Sequence, residues 1–292
     1  MYAVMGVTGQ VGGAVVRSLL GHGSQVRTIA RDPGKAAAWA KRGCELALAD
    51  ISDCNALVEA FRGAEGVFVI LPPMFDPSPG FPEVRQAAAT LRDALQSAKP
   101  ERVVVLSTIG GQVERPNLLY QLHLLEEELG KLSLAATFVR PAWFMENISW
   151  DIPAAQQDGV VPSFLQPLDQ KFPMIATQDI GQVVAQLLRE PWEGKRVVEI
   201  EGPSRISPHE MAAALAQELH RDVRMQAVPR DTWEALFRQQ GMKNPIPRAQ
   251  MLDGFNAGWI EFEAGQAGSR KTTTSFAEVV HSLIRQREAI PS

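Results

Sequence analysis

The sequence predicts a doubly wound α/β fold, and three observations carry that prediction. Short apolar runs alternate with longer helical patterns through the first half of the chain. The interiors of those runs are almost unbroken in hydrophobic residues, which suits a mostly parallel sheet covered on both faces. A glycine-rich loop, "GVTGQVG" (6–12), stands at the first strand-to-helix junction.

The elements follow in order. "YAVMGV" (2–7) reads as a strand and "GGAVVRSLLGHG" (12–23) as a helix stopped by Gly21 and Gly23. "QVRTIA" (25–30) is the next strand. In "DPGKAAAWAKRG" (32–43), Pro33 fits the first helical turn and Gly43 closes the helix. "CELALAD" (44–50) is a third strand, and Ser52 or Asp53 caps the helix after it. "EGVFVIL" (65–71) ends at Pro72-Pro73, and a helix over about 83–97 follows the turn-rich "MFDPSPGF". "ERVVVLSTIGG" (101–111) is a strand with a polar end, "NLLYQLHLLEEEL" (117–129) a helix, and "LAATFVRP" (134–141) a strand.

After about residue 150 the alternation fails. A helix over about 180–189 and the strand-like "GKRVVEIEG" (194–202) return to the sheet. "SPHEMAAALAQELHRD" (207–222) is a helix with Ser207 as cap, Pro208 first and Glu210 at capping-box spacing. The remainder reads as helices and loops, ending in an amphipathic helix within 270–288. The expected division is a nucleotide-binding domain over 1–152, completed by 172–200. A smaller substrate- or partner-binding region then covers 153–171 and 201–292.

With 45% hydrophobic residues in 292, the chain can bury a sizeable core. A net charge of -4 without blocks of like charge argues against a nucleic-acid surface. Cys44 and Cys54 make no disulfide scaffold, which points to a reducing cytoplasm. The N-terminus lacks a basic region, and no run of eighteen apolar residues suggests a membrane span. No metal ligands are assigned, and both a monomer and a homodimer fit.

Gly6, Gly9 and Gly12 permit a tight turn and close approach of backbone to a pyrophosphate, with a helix N-terminus supplying N–H groups. Thr8 hydrogen-bonds within such a loop, while Gln10 and Val11 offer backbone N–H groups. The second strand ends in Arg31, with Lys35 one turn on, and both suit a 2′-phosphate, so NADP(H) is preferred. Asp32 keeps NAD(H) open, although Pro33 and the helix start turn it towards the helix dipole. Asp50 either accepts a hydrogen bond from an adenine amino group or caps the next turn. Leu71 and Pro72 form a stiff apolar wall where the strand order should reverse.

"GVTGQVGG", "VRTIARDPGKA", "RPAWFMENI" (140–148) and "DIGQVVAQLL" (179–188) together resemble the atypical short-chain dehydrogenases/reductases, and within them the NmrA-like family. The likeness extends over nearly the whole chain. It implies a Rossmann domain binding NADP(H) and a small C-terminal domain closing a substrate cleft. Members it resembles include NAD(P)H quinone oxidoreductases, triphenylmethane dye reductases, and non-enzymatic regulators that sense nicotinamide nucleotides through a protein partner. The same resemblance places Gly6, Gly9 and Gly12 in the phosphate loop, Arg31 and Lys35 on the 2′-phosphate, and Leu71 and Pro72 on the nicotinamide-side ribose. Ser107 and Thr108 fall where a substrate-orienting serine is found in the wider family. Pro141, Trp143 and Phe144 fall beside the nicotinamide, followed by Glu146 and Asn147.

One departure stands out. The wider family pairs a tyrosine with a lysine four residues later, which stabilises tyrosinate and holds a ribose hydroxyl. Here Tyr120 is followed at that spacing by Leu124. His123 stands as a replacement ribose contact or proton relay, or else as a partly buried histidine bonded to backbone. Trp143 and Phe144 either line a flat slot for a conjugated acceptor or pack a domain junction. A quinone-type reductase using hydride transfer without the Tyr-Lys pair is therefore expected, with a nucleotide sensor acting through a protein partner as the alternative.

Overall fold

A computed structural model describes residues 1–288. The last four residues of the expected 201–292 region lie outside it.

The first half builds six parallel strands with intervening helices. These are β1 (Tyr2–Val4), α1 (Gln10–Gly21), β2 (Val26–Ala30), α2 (Pro33–Ala40), β3 (Glu45–Leu48), α3 (Cys54–Phe61), β4 (Gly66–Val69), α4 (Pro82–Ala98), β5 (Arg102–Leu106), α5 (Tyr120–Leu129) and β6 (Ala135–Pro141). β1, β3, β4 and β5 are shorter than the apolar runs because there the run continues past the last paired residue into a turn at the sheet's carboxyl edge. Tyr2–Val4, for example, pairs with both β2 and β4, and the chain then leaves the sheet towards Gly6.

The second half contributes β7 (Trp143–Phe144), a 3-10 turn (Met145–Trp150), α6 (Ile152–Gln157), β8 (Val160–Ser163), β9 (Met174–Ile175), α7 (Thr177–Arg189), β10 (Lys195–Glu201), α8 (Pro208–Leu219), β11 (Arg224–Ala227), α9 (Trp233–Gln239), α10 (Ile246–Asn256), α11 (Gly265–Gly268), β12 (Arg270–Lys271) and α12 (Phe276–Glu288). The expected capping box at Ser207 and Glu210 is formed. β8 pairs with β11 and β7 with β9, each pair parallel and outside the main sheet.

The main sheet has the order β12-β10-β6-β5-β4-β1-β2-β3, so the direction of winding reverses between β1 and β4. That reversal opens a crevice at the carboxyl ends of the two strands, where ligands bind in sheets of this kind. Two cores cover the sheet. One holds α1 and α7 residues such as Val15, Val184 and Leu188, and continues into the C-terminal region through Trp233 and Phe237. The other holds Leu57, Leu91, Leu95, Leu125 and Leu129 from α3, α4 and α5. Helices α1 and α7 approach closely because Gly181 faces Ala14, and a Cβ on Gly181 would lie 2.4 Å from the alanine's own. The final strand, β12, escapes a reading of the sequence: two residues are too few to show a period.

The C-terminal region is pinned to the loops at the sheet's carboxyl edge. Asp76 accepts hydrogen bonds from the Asn244 and Lys243 amides at 2.7 and 2.8 Å. The Leu118 amide donates to the Pro247 carbonyl at 2.8 Å, and Gln112 Nε2 to the Glu261 carbonyl at 2.9 Å. Among the described residues no helix is long and apolar enough to cross a membrane.

Candidate functional site

The glycine loop has the geometry of a phosphate cradle. Gly6 takes a φ of +67°, in the left-handed region, and a Cβ there would meet Ile70 at 2.6 Å. Gly12 is more constrained, since its Cβ would fall 2.3 Å from the Gly6 carbonyl oxygen and 2.7 Å from that of Met5. The helix therefore starts directly on the turn, and only glycine fits. Gly9 is the N-cap of α1 and offers no side-chain cap, so the amides of Gln10, Val11 and Gly12 lack intrahelical acceptors. Such a helix start fits a pyrophosphate. Thr8 is exposed at the lip of the loop.

Asp32 turns away from this cradle. It caps α2, its Oδ1 accepting from the amides of Gly34 at 2.8 Å and Lys35 at 3.3 Å. The carboxylate that would have disfavoured a 2′-phosphate is thus committed to a helix terminus. Arg31 reaches outward, 71% exposed, with Nη1 3.9 Å from Asp50 Oδ2. Asp50 in turn accepts from the Ser52 hydroxyl at 2.6 Å and amide at 3.0 Å, which holds its carboxyl below the usual carboxylate range. Of the two roles open to Asp50, turn capping is the one its contacts display.

A concavity of about 470 Å³ opens against the loop, walled by Thr8, Gly9, Gly13, Arg17, Lys35, Trp39 and Arg42. Trp39 forms its floor, donating Nε1–H to the Val7 carbonyl at 3.0 Å. Arg17, Trp39 and Arg42 are absent from the sequence-based assignment. A signal was present: Lys35 and Trp39, like Gly13 and Arg17, are four residues apart and share a helix face, and Arg42 follows in the turn just after α2.

The two expected catalytic groups, Tyr120 and His123, lie together on α5. Tyr120 is the first residue of α5, lies 5.9 Å from the Phe81 ring and stacks on His123 at 5.0 Å. Leu124 is buried beside it in an apolar cluster with Phe81 and Val84. The position that would carry the lysine is thus a packing position. His123 Nδ1 lies 2.9 Å from the Gly111 carbonyl, and the ring lines a groove between α5 and β10 with Glu127, Arg140 and Lys195. That groove shares no residue with the glycine-loop concavity.

Ser107, expected at the cofactor where a substrate-orienting serine is found in the wider family, donates its hydroxyl to Glu126. Glu126 also grips Arg140 through two hydrogen bonds of 2.9 and 2.7 Å. Burial acts to lower the Arg140 pKa, but Glu126 and Glu263 outweigh it and hold the guanidinium above the ordinary arginine range. A Cβ on Gly111 would sit 2.6 Å from Glu126 and 2.8 Å from Arg140, so the "STIGG" loop is laid over this ion pair. Ser107 therefore belongs to a buried polar network that ties β5, α5 and β6 together. Thr108, next in the chain, is half-buried.

Trp143 and Phe144 do not form one slab. They are adjacent in a strand, and successive strand residues point to opposite faces. Trp143 meets Phe255 of α10 edge-on at 5.1 Å, across to the C-terminal region. Pro141 ends β6 just before them. Glu146 is turned to the start of α7, accepting from the Thr177 amide at 2.8 Å and hydroxyl at 2.6 Å, while its other oxygen is buried without a partner among the described residues. Burial raises its pKa against those two hydrogen bonds. Asn147 follows, half-buried, and Leu71 and Pro72 leave β4 at the crevice. A second aromatic contact bridges the same edge, with the exposed rings of Phe75 and Trp150 edge-to-face at 6.3 Å.

Known proteins share this fold. The sequence profile of the NmrA-like family matches residues 2–269. The chain belongs to the NmrA-like family. Relatives within reach include an NAD(P)H azoreductase of Xenophilus azovorans, 29% identical over 251 residues that make up 85% of this chain and 84% of that protein. Quinone oxidoreductase 2 of Escherichia coli is 27% identical, with 97% of this chain and 98% of that one covered. Among solved structures, an NADPH complex of an NADPH-dependent quinone oxidoreductase from Escherichia coli superposes with a TM-score of 0.81 at 24% identity, covering 97% and 100% of the two chains. The NADP(H) complex of Citrobacter sp. triphenylmethane reductase gives 0.80 at 19% identity, covering 97% and 99%. At those identities the structural likeness speaks for the NmrA-like fold.

Proposed function

We propose that this chain is an NADP(H)-dependent oxidoreductase that passes hydride to a conjugated acceptor such as a quinone, without a Tyr-Lys pair. The observation that carries the reading is the pairing of a glycine-only phosphate turn with an apolar Leu124. The first binds a dinucleotide pyrophosphate. The second removes the usual means of activating Tyr120, because a leucine packed against Phe81 and Val84 neither lowers a phenol's pKa nor holds a ribose hydroxyl. The named activities of the relatives, an azoreductase and a quinone oxidoreductase, favour an enzyme over a sensor that works through a protein partner.

NADPH, when bound, supplies the hydride. The chain's own residues position and shield. The amides of Gln10, Val11 and Gly12 meet the pyrophosphate, and Leu71 and Pro72 wall the crevice beyond it. The C-terminal region, anchored by Asp76 and Leu118, covers the carboxyl edge of the sheet. Trp143, held edge-on by Phe255, offers the cleft an aromatic surface of fixed orientation. A conjugated acceptor spreads the incoming charge over its own system, so orientation over the nicotinamide is the main requirement and solvent completes protonation.

The test is anaerobic stopped-flow measurement of NADPH loss with a panel of small quinones. Turnover above a protein-free control is expected, with NADPH preferred to NADH. Tight NADPH binding with no turnover on any acceptor refutes the reductase reading.

A further inference from the structure

From the concavity between α1 and α2 we infer that the adenosine 2′-phosphate is taken by Arg17, Lys35 and Arg42, with Arg17 and Arg42 setting the preference for NADP(H) over NAD(H). The inference rests on the dinucleotide reading above and goes beyond it in naming the residues that discriminate.

Four observations converge. The three cations wall one concavity of about 470 Å³ whose remaining lining includes Thr8 and Gly9 of the phosphate loop. That places the socket next to the pyrophosphate cradle. Secondly, Arg17, Lys35 and Arg42 take part in no ion pair among the described residues. About half of the arginines elsewhere have carboxylate partners, such as Arg27 with Glu45, Arg140 with Glu126 and Arg230 with Asp253, whereas these three cations share one concavity without any. A group of like charges without counterions is held together at a cost unless an anion joins it. Thirdly, the carboxylate closest in sequence, Asp32, is spent on the α2 cap.

The fourth observation is the way the floor is built. Trp39 is buried, fixed by its bond to Val7, and carries Arg42 on its ring face at 5.3 Å. A Cβ on Gly13 would sit 3.3 Å from Arg17 Nη1 and 3.5 Å from Trp39, so the glycine leaves the arginine room to lie along α1 towards the loop. Arg31, by contrast, is not among the walls and reaches towards Asp50. Lys35 is kept from the expected Arg31–Lys35 pair, and Arg17 and Arg42, which line the same concavity, are added to it. Guanidinium groups suit this work because they pair with phosphate oxygens in two-point contacts.

The test is equilibrium titration of NADPH and NADH, followed by cofactor fluorescence, with the full-length wild type and the variants R17A, R42A, R17A/R42A and R31A. Loss of one charge-assisted contact should weaken NADPH by about tenfold for R17A and for R42A, and by more for the double variant, with NADH changed less than about twofold. R31A should move the NADPH-to-NADH ratio less than either. Unchanged NADH affinity reports an intact fold in the same experiment. If wild type prefers NADPH and the R17A/R42A variant keeps the wild-type ratio, the socket is overturned while the NADP(H) assignment stands. A wild type that binds neither nucleotide overturns both.

Discussion

Replacing Gly12 with alanine sets two physical effects of opposite sign against each other. Gly12 lies within α1, where alanine is intrinsically better than glycine by about 1 kcal/mol. Helix propensity alone thus predicts a more stable protein. The structure predicts the reverse. The new methyl would lie 2.3 Å from the Gly6 oxygen, 2.5 Å from the Gly6 carbonyl carbon and 2.7 Å from the Met5 oxygen. All three are backbone atoms of the turn itself, and none can rotate away. To reach the 3.4 Å contact that a Cβ on Gly9 would make with the same Gly6 oxygen, helix and loop must part by about 1 Å (3.4 minus 2.3). Overpacking of this kind costs about 1–3 kcal/mol, and a clash with fixed backbone belongs at the upper end, so after a propensity gain of about 1 kcal/mol Gly12→Ala should be less stable than wild type by up to about 2 kcal/mol. The same displacement moves the Gln10 and Val11 amides off the pyrophosphate, so NADPH affinity should fall by at least about tenfold. Urea denaturation gives the first number and fluorescence titration the second. Gly9→Ala is the stability control, expected within about 0.5 kcal/mol of wild type. A Gly12→Ala protein with an unchanged urea midpoint and unchanged NADPH affinity would refute the close-approach argument.

Two further outcomes follow from buried charge. Burial pushes the Asp151 carboxyl from 3.8 up to about 6. Its folded pKa lies above its unfolded one, so its contribution to stability is complete below about pH 4 and is lost as pH rises through about 6. The difference, 6 minus 3.8, corresponds to about 3 kcal/mol at most. Asp151→Asn should therefore be more stable than wild type at pH 7.5, with the gap closing towards pH 4; a gap that ignores pH in urea titrations rejects this. In the second case Glu126→Gln strips the buried, doubly hydrogen-bonded carboxylate from Arg140, whose side chain is 5% exposed. Breaking such a pair should cost about 3 kcal/mol, and Glu126→Gln with Arg140→Met should recover part of it in thermal melts, whereas an additive loss would show that the pair is not coupled.

Much of the site was legible because it depends on local chemistry. The glycine spacing, Asp32 beside Pro33 and the Ser207–Glu210 box act over a few residues, and each is found doing what its neighbours imply. Ser107 was not legible in this way. Its position at the end of β5 suggests substrate, but its partner Glu126 arrives from α5, and a separation of nineteen positions in the chain hides that meeting. Trp143 and Phe144 read as one aromatic feature until strand pairing with β9 sends their rings to opposite faces. The arginines at 17 and 42 carry no motif, and become a socket only once α1 and α2 are set side by side around Trp39.

By itself, then, the sequence determined the winding of the sheet, the glycine turn and the absence of a lysine at position 124, since hydrophobic period, backbone freedom and residue identity are properties of short segments. Tertiary structure decided which charges are satisfied and which are left open. Arg140 is enclosed by Glu126, Glu199 and Glu263, while Arg17, Lys35 and Arg42 surround a space that no carboxylate among the described residues lines. Charge pairing depends on distances of a few ångströms between residues far apart in the chain, and only packing of the sheet and its helices sets those distances.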